Sequence, residues 1–196
     1  TDDGFVVFGK LGYDKQLNDD LRVRLTGSFY SSSDKNTRDY IYGGDRAGSR
    51  YYAVADGGNF SGRYNPRFSY LTSFQINPFV KFQGFEFCGV YEVANNGYDS
   101  AGGGFTQLGA EALYRFGADE QWYLGGRYNS VSGEVSDNAS TVDINRINVG
   151  AGWFLTKNVL TKIEYVSQKY DGAGFDSTLY QGAEFDGIVI EAAISF

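Results

Sequence analysis

A chain of 196 residues with two prolines and no polar linker run suits a single domain spanning 1–196. Its net charge of −7, with no Lys/Arg stripe and interleaved aromatics, excludes nucleic acid as a partner, because the phosphates would be repelled. No apolar run reaches the roughly 18 residues that a membrane helix needs, whereas 17% aromatic residues and 27 glycines favour strands and turns.

The N-terminal third predicts strands with one apolar and one polar face. FVVFGKL (5–11) is the first strand, and LRVRLTGSF (21–29) is the second. In the second strand the apolar side chains fall on odd positions, while Arg22 and Arg24 lie opposite, because side chains alternate across a strand. Further strands are predicted at 38–42 and 49–55.

The next segment predicts a β-hairpin. FQINPFVKF (74–82) and FEFCGVYEV (85–93) alternate in the same way and meet at Gln83 and Gly84, a tight-turn signal. Pro78 lies inside the first of these strands. It predicts a bulge or a local break in pairing, because proline has no N–H to donate to the ladder.

The alternation continues to the end of the chain. Trp153 and Ile163 lie on apolar faces, and Arg146 and Lys162 lie on the polar faces opposite them. The predicted strands are 106–116, 121–131, 148–154, 159–169 and 187–196. Only closed barrels or helices satisfy the backbone in lipid, so we predict an all-β fold, a transmembrane antiparallel up-and-down β-barrel with about 10–12 strands in this chain.

The N-terminus and the connections add to this prediction. The start, TDDGFVV, carries neither an initiator Met nor a signal peptide, so either processing has removed a targeting segment or the sequence begins partway through a longer barrel. Alternate connections differ in length, as they do in bacterial outer-membrane barrels with short periplasmic turns. The short ones are 83–84, 117–120 and 155–158, and the long ones are 95–104, 132–142 and 171–184.

Alternation alone does not say which face is buried, because a soluble sandwich or lipocalin-like barrel shows the same pattern. Three features favour the membrane barrel. The polar face mixes charges with many glycines, the long loops are acidic, and the apolar faces end in aromatics on the short-turn side. These aromatics form a predicted periplasmic girdle consisting of Phe82, Phe85, Tyr114, Phe116, Trp122, Trp153 and Phe196.

Five stretches carry a family resemblance: INPFVKFQGFEFCGVYEVANN (76–96), FTQLGAEALYRFG (105–117), WYLGGRYNSVSGE (122–134), INVGAGWFLTKNVLTKIEYVSQKYDG (147–172) and YQGAEFDGIVIEAAISF (180–196). They resemble barrel proteins of the Bacteroidetes outer membrane, often described as porin-like. The resemblance implies a Gram-negative outer membrane, with the lipid bilayer and lipopolysaccharide as surroundings. The final strand, which ends at Phe196, also resembles the signal that the barrel-assembly machinery recognises.

Residue types needed for common catalytic and metal sites are missing. Without histidine the usual general base near neutral pH is absent, so we predict that the chain is not an enzyme, although an Asp/Glu pair could act alone. Cys88 is the only cysteine, which excludes an internal disulfide and a Cys/His metal cluster. The loop DGAGFD (171–176) lacks the spacing of a calcium loop, and GYDSAGGGF (97–105) lacks the helix that follows a phosphate-binding loop. No metal and no cofactor is expected.

The polar faces together predict a charged lumen. Such charges pair across strands and plug a narrow barrel, or they line water in a wide one. Two functions remain open: a porin-like channel for passive diffusion of small polar solutes or ions, and a non-conducting scaffold barrel in an outer-membrane protein complex, with loops 132–142 and 171–184 as its binding surface. The predicted pore-lining residues are Arg22, Arg24, Lys81, Glu86, Glu92, Glu111, Arg115, Arg127, Arg146, Lys162, Glu164 and Glu191.

Overall fold

The computed structural model describes residues 4–33, 68 and 70–195, which form one antiparallel β-sheet. Each strand pairs with the next one in the chain, so the sheet is an up-and-down meander. The strands are β1 (Val6–Gln16), β2 (Leu21–Ser32), β3 (Thr72–Phe82), β4 (Phe85–Asn95), β5 (Gly104–Phe116), β6 (Trp122–Glu134), β7 (Val142–Thr156), β8 (Val159–Asp171) and β9 (Glu184–Ile194). A single 3₁₀ turn, Ala173–Phe175, precedes β9. None of the described helical structure has the length and apolarity to cross a membrane.

The strands lie where the alternation of side chains predicts them, and most extend further. The sequence pattern ends β1 at Leu11, but pairing with β2 carries it on, with Asp14 opposite Arg24. Tertiary pairing thus overrides the weak strand preference of this polar segment. The strands predicted at 38–42 and 49–55 lie outside the described residues. The antiparallel up-and-down architecture is confirmed.

The two ends of the sheet carry connections of different length, as predicted. The short-turn end holds 17–20, 83–84, 117–121 and 157–158, and the long-loop end holds 96–103, 135–141 and 172–183. β2 also ends, and β3 also begins, at the long-loop end, and residues 34–67 and 69 between them lie outside the described residues. The predicted hairpin at Gln83 and Gly84 is confirmed, and Gln83 takes the positive φ of 50° that this tight turn requires.

One face of the sheet, which we call the outer face, is apolar and exposed. Val149, Ile163 and Ile190 on this face are 57%, 49% and 78% exposed. Water in contact with so much apolar surface costs about 25 cal/mol per Å², whereas lipid does not impose this cost. A soluble sandwich would bury these side chains against a second sheet, and the described residues contain one sheet only. The soluble alternative is therefore not supported.

The opposite face, the inner face, holds the buried core at its long-loop end. Apolar residues of β4, β5, β7 and β8 meet there, although these strands are not all neighbours, so the sheet curves toward its inner face. We call this group the rim cluster, and it consists of Phe68, Leu71, Ala94, Phe105, Val142, Ile144, Tyr170 and Phe175. The core of this chain thus closes one end of the inner face rather than filling the middle of the sheet.

Pro78 interrupts the pairing of β3 with β4 without shifting it. The ladder omits Asn77 and Pro78, and the register is the same on both sides of the gap. The predicted local break is confirmed, and there is no bulge at this position. Two neighbouring residues adapt to the proline: a side-chain amide takes the place of the missing donor, and a glycine makes space for the ring. The side-chain amide of Asn77 donates to the Gly89 carbonyl at 3.5 Å, and Gly89 leaves room for the proline ring.

Replacing Gly89 by valine should destabilise the protein by about 1–3 kcal/mol, the usual cost of overpacking. A Cβ at residue 89 would lie 2.8 Å from Cγ of Pro78, so the ring or the strand would have to move. Urea unfolding in lipid vesicles measures the change. Gly27→Val is the matched control, since a Cβ at this outer-face glycine meets nothing closer than 3.9 Å. Equal midpoints for the two variants would contradict the proposed fit between Pro78 and Gly89.

β1 and β9 are the two margins of the described sheet. β1 pairs only with β2, β9 pairs only with β8, and all residues of β1 are exposed. Because direction alternates along the meander, the first and the ninth strand run the same way.

Candidate functional site

All twelve predicted pore-lining residues lie on the inner face. Antiparallel pairing puts directly opposite residues on the same face, and several predicted charges are direct partners across strands. Lys81 lies opposite Glu86, Glu111 opposite Arg127, and Lys162 opposite Glu191. Alternation within each strand then places the others on the same side. The sequence pattern therefore located the charged face, and its role as a pore lining stays a prediction.

A group of charges at the short-turn end is held together by Glu86. Its Oε1 lies 2.9 Å from Nε of Arg115 and 3.3 Å from Nζ of Lys81, so one carboxylate bridges three strands. Lys81 also lies 3.6 Å from Oε2 of Glu120 in the β5–β6 turn. The guanidinium of Arg115 is 5.4 Å from the ring centre of Phe154, within cation–π distance.

The remaining inner-face ion pairs are cross-strand, except for Lys162 with Glu164 within β8, at 3.7 Å. Glu111 and Arg127 pair directly, and Lys162 lies 3.1 Å from Oε2 of Glu191. Arg22 makes a two-pronged contact with Asp14, at 2.9 Å from Nε and 2.6 Å from Nη2. Sequence reasoning missed Asp14, because the predicted end of β1 came before it.

Tyr123 covers the inner face of β7 at a glycine, where β7 has no side chain. Its ring lies against Gly152, directly opposite on β7, in the space that a Cβ would occupy. Aromatic side chains recurrently cover glycines in this way and fix strand register. The inner-face glycines therefore make room for bulky neighbours, which agrees with the predicted mixture of glycine and charge on one face.

Amide side chains occupy the middle of the inner face between the charges and the rim cluster. Asn148 and Gln168 are buried and both accept hydrogen bonds from Arg146. On the same face, between β3 and β4, Ser73 Oγ donates to Glu92 at 2.7 Å and Gln75 donates to the same carboxylate at 3.3 Å. The sequence analysis predicted only charged residues as pore lining and missed this layer of amides. The uncharged amides on the polar face were the signal that could have identified it.

The rim cluster covers the inner face at the long-loop end. The 3₁₀ turn brings Phe175 against Tyr170, with ring centres 5.9 Å apart, and Tyr180 lies 5.1 Å from Phe175. The backbone N–H of Gly174 donates to the Thr141 carbonyl at 3.0 Å, which ties this loop to the start of β7. The loop at 171–184, predicted as part of a binding surface, is anchored inward through Phe175, while most of its other residues are exposed. Its role as a binding surface stays a prediction.

Six of the seven predicted girdle aromatics form a belt on the outer face at the short-turn end. Trp122 and Trp153 stack with ring centres 4.6 Å apart, and Tyr114 and Phe116 stack at 6.4 Å. Phe82 lies directly opposite Phe85, which continues the belt to β3 and β4. Phe196 lies outside the described residues. The position of this belt fits an interface with lipid headgroups, and that role stays a prediction.

The part of the chain that the structure describes brings together no group of three His, Cys, Asp or Glu side chains able to hold a metal ion. Cys88 is a free, half-buried thiol on the inner face. The acidic loop residue Asp137 instead accepts a hydrogen bond from the backbone of Gly103 at 3.0 Å. It thereby joins two long loops, which is a structural role for one of the acidic residues of this rim.

Comparison with solved structures shows similarity to OmpT, an outer membrane protein of Vibrio cholerae that was folded in vitro. The match covers 97% of this chain and 81% of that chain, with 14% sequence identity and a TM-score of 0.44. No protein-family model and no curated protein sequence matches. The assignment of the fold therefore rests on the strands and faces described above.

The prediction that the chain is not an enzyme is withdrawn, because its basis is too narrow. That prediction was drawn from the lack of histidine, which removes a histidine base and nothing else. Carboxylates can also act as a general base. The similarity assigns no reaction to this chain.

Three features of the described residues define the architecture. The strands form an antiparallel meander, the apolar side chains point outward, and the connections alternate between short turns and long loops. Charges and amides lie on the opposite face. Together these features are those of an outer-membrane β-barrel, and the chain has this fold.

Proposed function

We propose that this chain forms the wall of a porin-like channel in the outer membrane of a Gram-negative bacterium, through which small polar solutes or ions diffuse passively. The observation that carries the proposal is the exposure of paired charges on the inner face. The side chains of Arg127 and Lys81 are 54% and 36% exposed, although both are ion-paired. In a plugged barrel such charges would be buried and their desolvation would be costly. Exposed ion pairs agree with a wall that faces water.

The charge balance of the inner face gives the channel a weak preference for anions. Among the described strands, eight cations meet six anions on this face, which leaves an excess of two positive charges. The whole chain, in contrast, carries −7. The cations are Lys10, Arg22, Arg24, Lys81, Arg115, Arg127, Arg146 and Lys162, and the anions are Asp14, Glu86, Glu92, Glu111, Glu164 and Glu191.

The proposed orientation puts the short turns in the periplasm and the long loops outside the cell. In this orientation the aromatic belt meets the periplasmic interface, and the acidic loops lie near lipopolysaccharide. We also propose that the chain is a barrel of the Bacteroidetes porin-like family. The barrel-assembly machinery is the proposed partner of its C-terminal strand. Other outer-membrane proteins remain candidate partners through the long loops.

Single-channel recording in planar bilayers tests the proposed function. We expect steady current steps from the purified protein, after its folding has been checked by a change in gel migration between unheated and boiled samples. Folded membrane barrels typically migrate differently until they are heated. A silent bilayer at high protein load, with the gel shift present, would contradict a channel and would support the scaffold alternative.

Replacing Arg127 by alanine should shift ion preference toward cations, because Glu111 then carries an uncompensated charge on the inner face. In a tenfold KCl gradient we expect the reversal potential to move by roughly 10 mV of the about 59 mV that perfect selectivity gives. The double variant Arg127→Ala, Glu111→Ala is the matched control, since it removes the same pair without changing net charge. An unchanged reversal potential in the single variant would remove Arg127 from the pore lining.

The rim cluster is the observation that favours the second function, a non-conducting scaffold. It places buried aromatic side chains across the inner face at the long-loop end, where an open channel would be expected to be polar. A scaffold of this kind would present the long loops to partner proteins in an outer-membrane complex. The bilayer measurement separates the two functions.

A further inference from the structure

We infer that the inner face holds a binding site for a small organic carboxylate, centred on the guanidinium of Arg146. The inference rests on the proposed function in one respect, since it requires that the inner face be reached by water and solutes. Such a site is more specific than a general ionic preference, because one residue binds one class of ligand.

Arg146 is a cation without a carboxylate partner. Every described inner-face arginine on β5 and β6 has an ion pair, as shown by Arg115 with Glu86 and Arg127 with Glu111. Within the described residues no carboxylate oxygen lies within salt-bridge distance of Arg146. Its positive charge therefore has no direct ion-pair partner. The nearest carboxylate, that of Glu164, acts on it electrostatically from the far side of Asn148, and the arginine side chain is partly buried.

Two buried amides hold the guanidinium in place. Nε of Arg146 donates to Oδ1 of Asn148 at 3.0 Å, and Nη1 donates to Oε1 of Gln168 at 3.4 Å. Asn148 and Gln168 are only 7% and 6% exposed. Amide oxygens satisfy N–H groups without cancelling the charge, so the site is fixed in position and remains positive.

The amides are themselves fixed by other residues. The amide nitrogen of Asn148 donates to Glu164, and that of Gln168 donates to the hydroxyl of Tyr170 at 2.6 Å. With their nitrogens engaged, both amides turn their oxygens toward Arg146. Preorganisation of this kind reduces the entropy that is lost when a ligand binds.

The free edge of the guanidinium matches a carboxylate. Nη2 of Arg146 makes no hydrogen bond to any described residue, and no side-chain nitrogen or oxygen in the described residues is both buried and unsatisfied. Nη2 is therefore not completely buried. Its N–H groups, with the second proton of Nη1, form the planar fork that binds carboxylates through two parallel hydrogen bonds. One unpaired positive charge also suits a singly charged ligand better than a doubly charged phosphate.

Protection of arginine from phenylglyoxal tests the site without using conductance. The folded protein in vesicles is modified in the presence of acetate, and mass spectrometry of its peptides gives the rate at each arginine. At an acetate concentration twice the dissociation constant, we expect modification of Arg146 to slow by about threefold. Arg24 is the internal control, because it lies on the same face, has no carboxylate partner among the described residues, and instead stacks on Phe79 at 4.8 Å.

Parallel samples with sodium chloride and with inorganic phosphate, at equal ionic strength, separate specific binding from screening. Slowing at Arg146 by acetate alone supports the carboxylate site. Equal slowing at Arg24, equal slowing by chloride, stronger slowing by phosphate, or no modification of Arg146 without ligand would each overturn it.

Failure of the carboxylate site can be distinguished from failure of the channel. Current steps without protection of Arg146 would support the channel and contradict the carboxylate site. Protection of Arg146 in a protein that conducts no current would support the site and contradict the channel. Arg146→Lys and Arg146→Gln add a second measurement. If both fold by the gel-shift assay, acetate block of the current should be lost in both, because lysine keeps the charge but lacks the fork. Retained block in Arg146→Gln would contradict the site.

Discussion

Replacing Val149 by arginine should destabilise the protein in lipid by about 2–4 kcal/mol, the cost of a cation on the lipid-facing surface near the bilayer midplane. Val149 lies at the centre of β7, on the outer face, and is 57% exposed. If lipid covers this face, the arginine loses its water. If water covers it, as in a soluble protein, the substitution is nearly neutral. Urea unfolding in vesicles of matched thickness measures the difference in the free energy of unfolding.

Gly187→Arg is the matched control for this experiment. Gly187 lies on the inner face of β9, and a Cβ there meets no atom within 4 Å, so an arginine has room and water. We expect its effect to stay within about 0.5 kcal/mol, as for ordinary exposed positions. A neutral Val149→Arg together with a destabilising Gly187→Arg would reverse the assignment of the two faces.

Replacing Phe175 by alanine should free the β8–β9 loop from the inner face. Phe175 is 2% exposed, and truncation of a buried phenylalanine costs about 3–5 kcal/mol. The loss is expected locally, because one backbone hydrogen bond, from Gly174 to Thr141, anchors this loop to the start of β7. Amide exchange at Gly174 should therefore accelerate by roughly 100- to 1,000-fold or more. In a conducting protein, the single-channel current should rise as well.

Leu179→Ala is the control within the same loop. Leu179 is 60% exposed and does not belong to the rim cluster, so exchange at Gly174 should hardly change. Equal acceleration in both variants would mean that the loop does not depend on Phe175. Unchanged exchange in Phe175→Ala would show that the rim cluster does not hold the loop inward.

The strands could be predicted because each one carries its own alternation. In β8, for example, Ile163 and Tyr165 face outward while Lys162 and Glu164 face inward, and this parity needs no knowledge of neighbouring strands. The break at Pro78 was equally local, because it follows from a missing N–H.

The rim cluster could not be predicted in the same way. Phe105, Ile144 and Tyr170 have the parity of the polar face, and their burial depends on the curvature of the sheet and on Phe175 arriving from a distant loop. The two amides that hold Arg146, Asn148 and Gln168, could not be predicted for the same reason. Asn148 is two residues away in the chain, but Gln168 comes from β8, and only pairing of β7 with β8 brings it near.

Because β1 and β9 run in the same direction, they constrain the number of strands in a closed barrel. In hydrocarbon, the backbone groups along both margins need partners. Joining the margins directly would create a parallel seam with slanted bonds in an otherwise antiparallel wall. Joining them through antiparallel neighbours needs an odd number of additional strands, which gives an even total, the usual count in bacterial barrels. The width of the barrel is therefore decided at that seam.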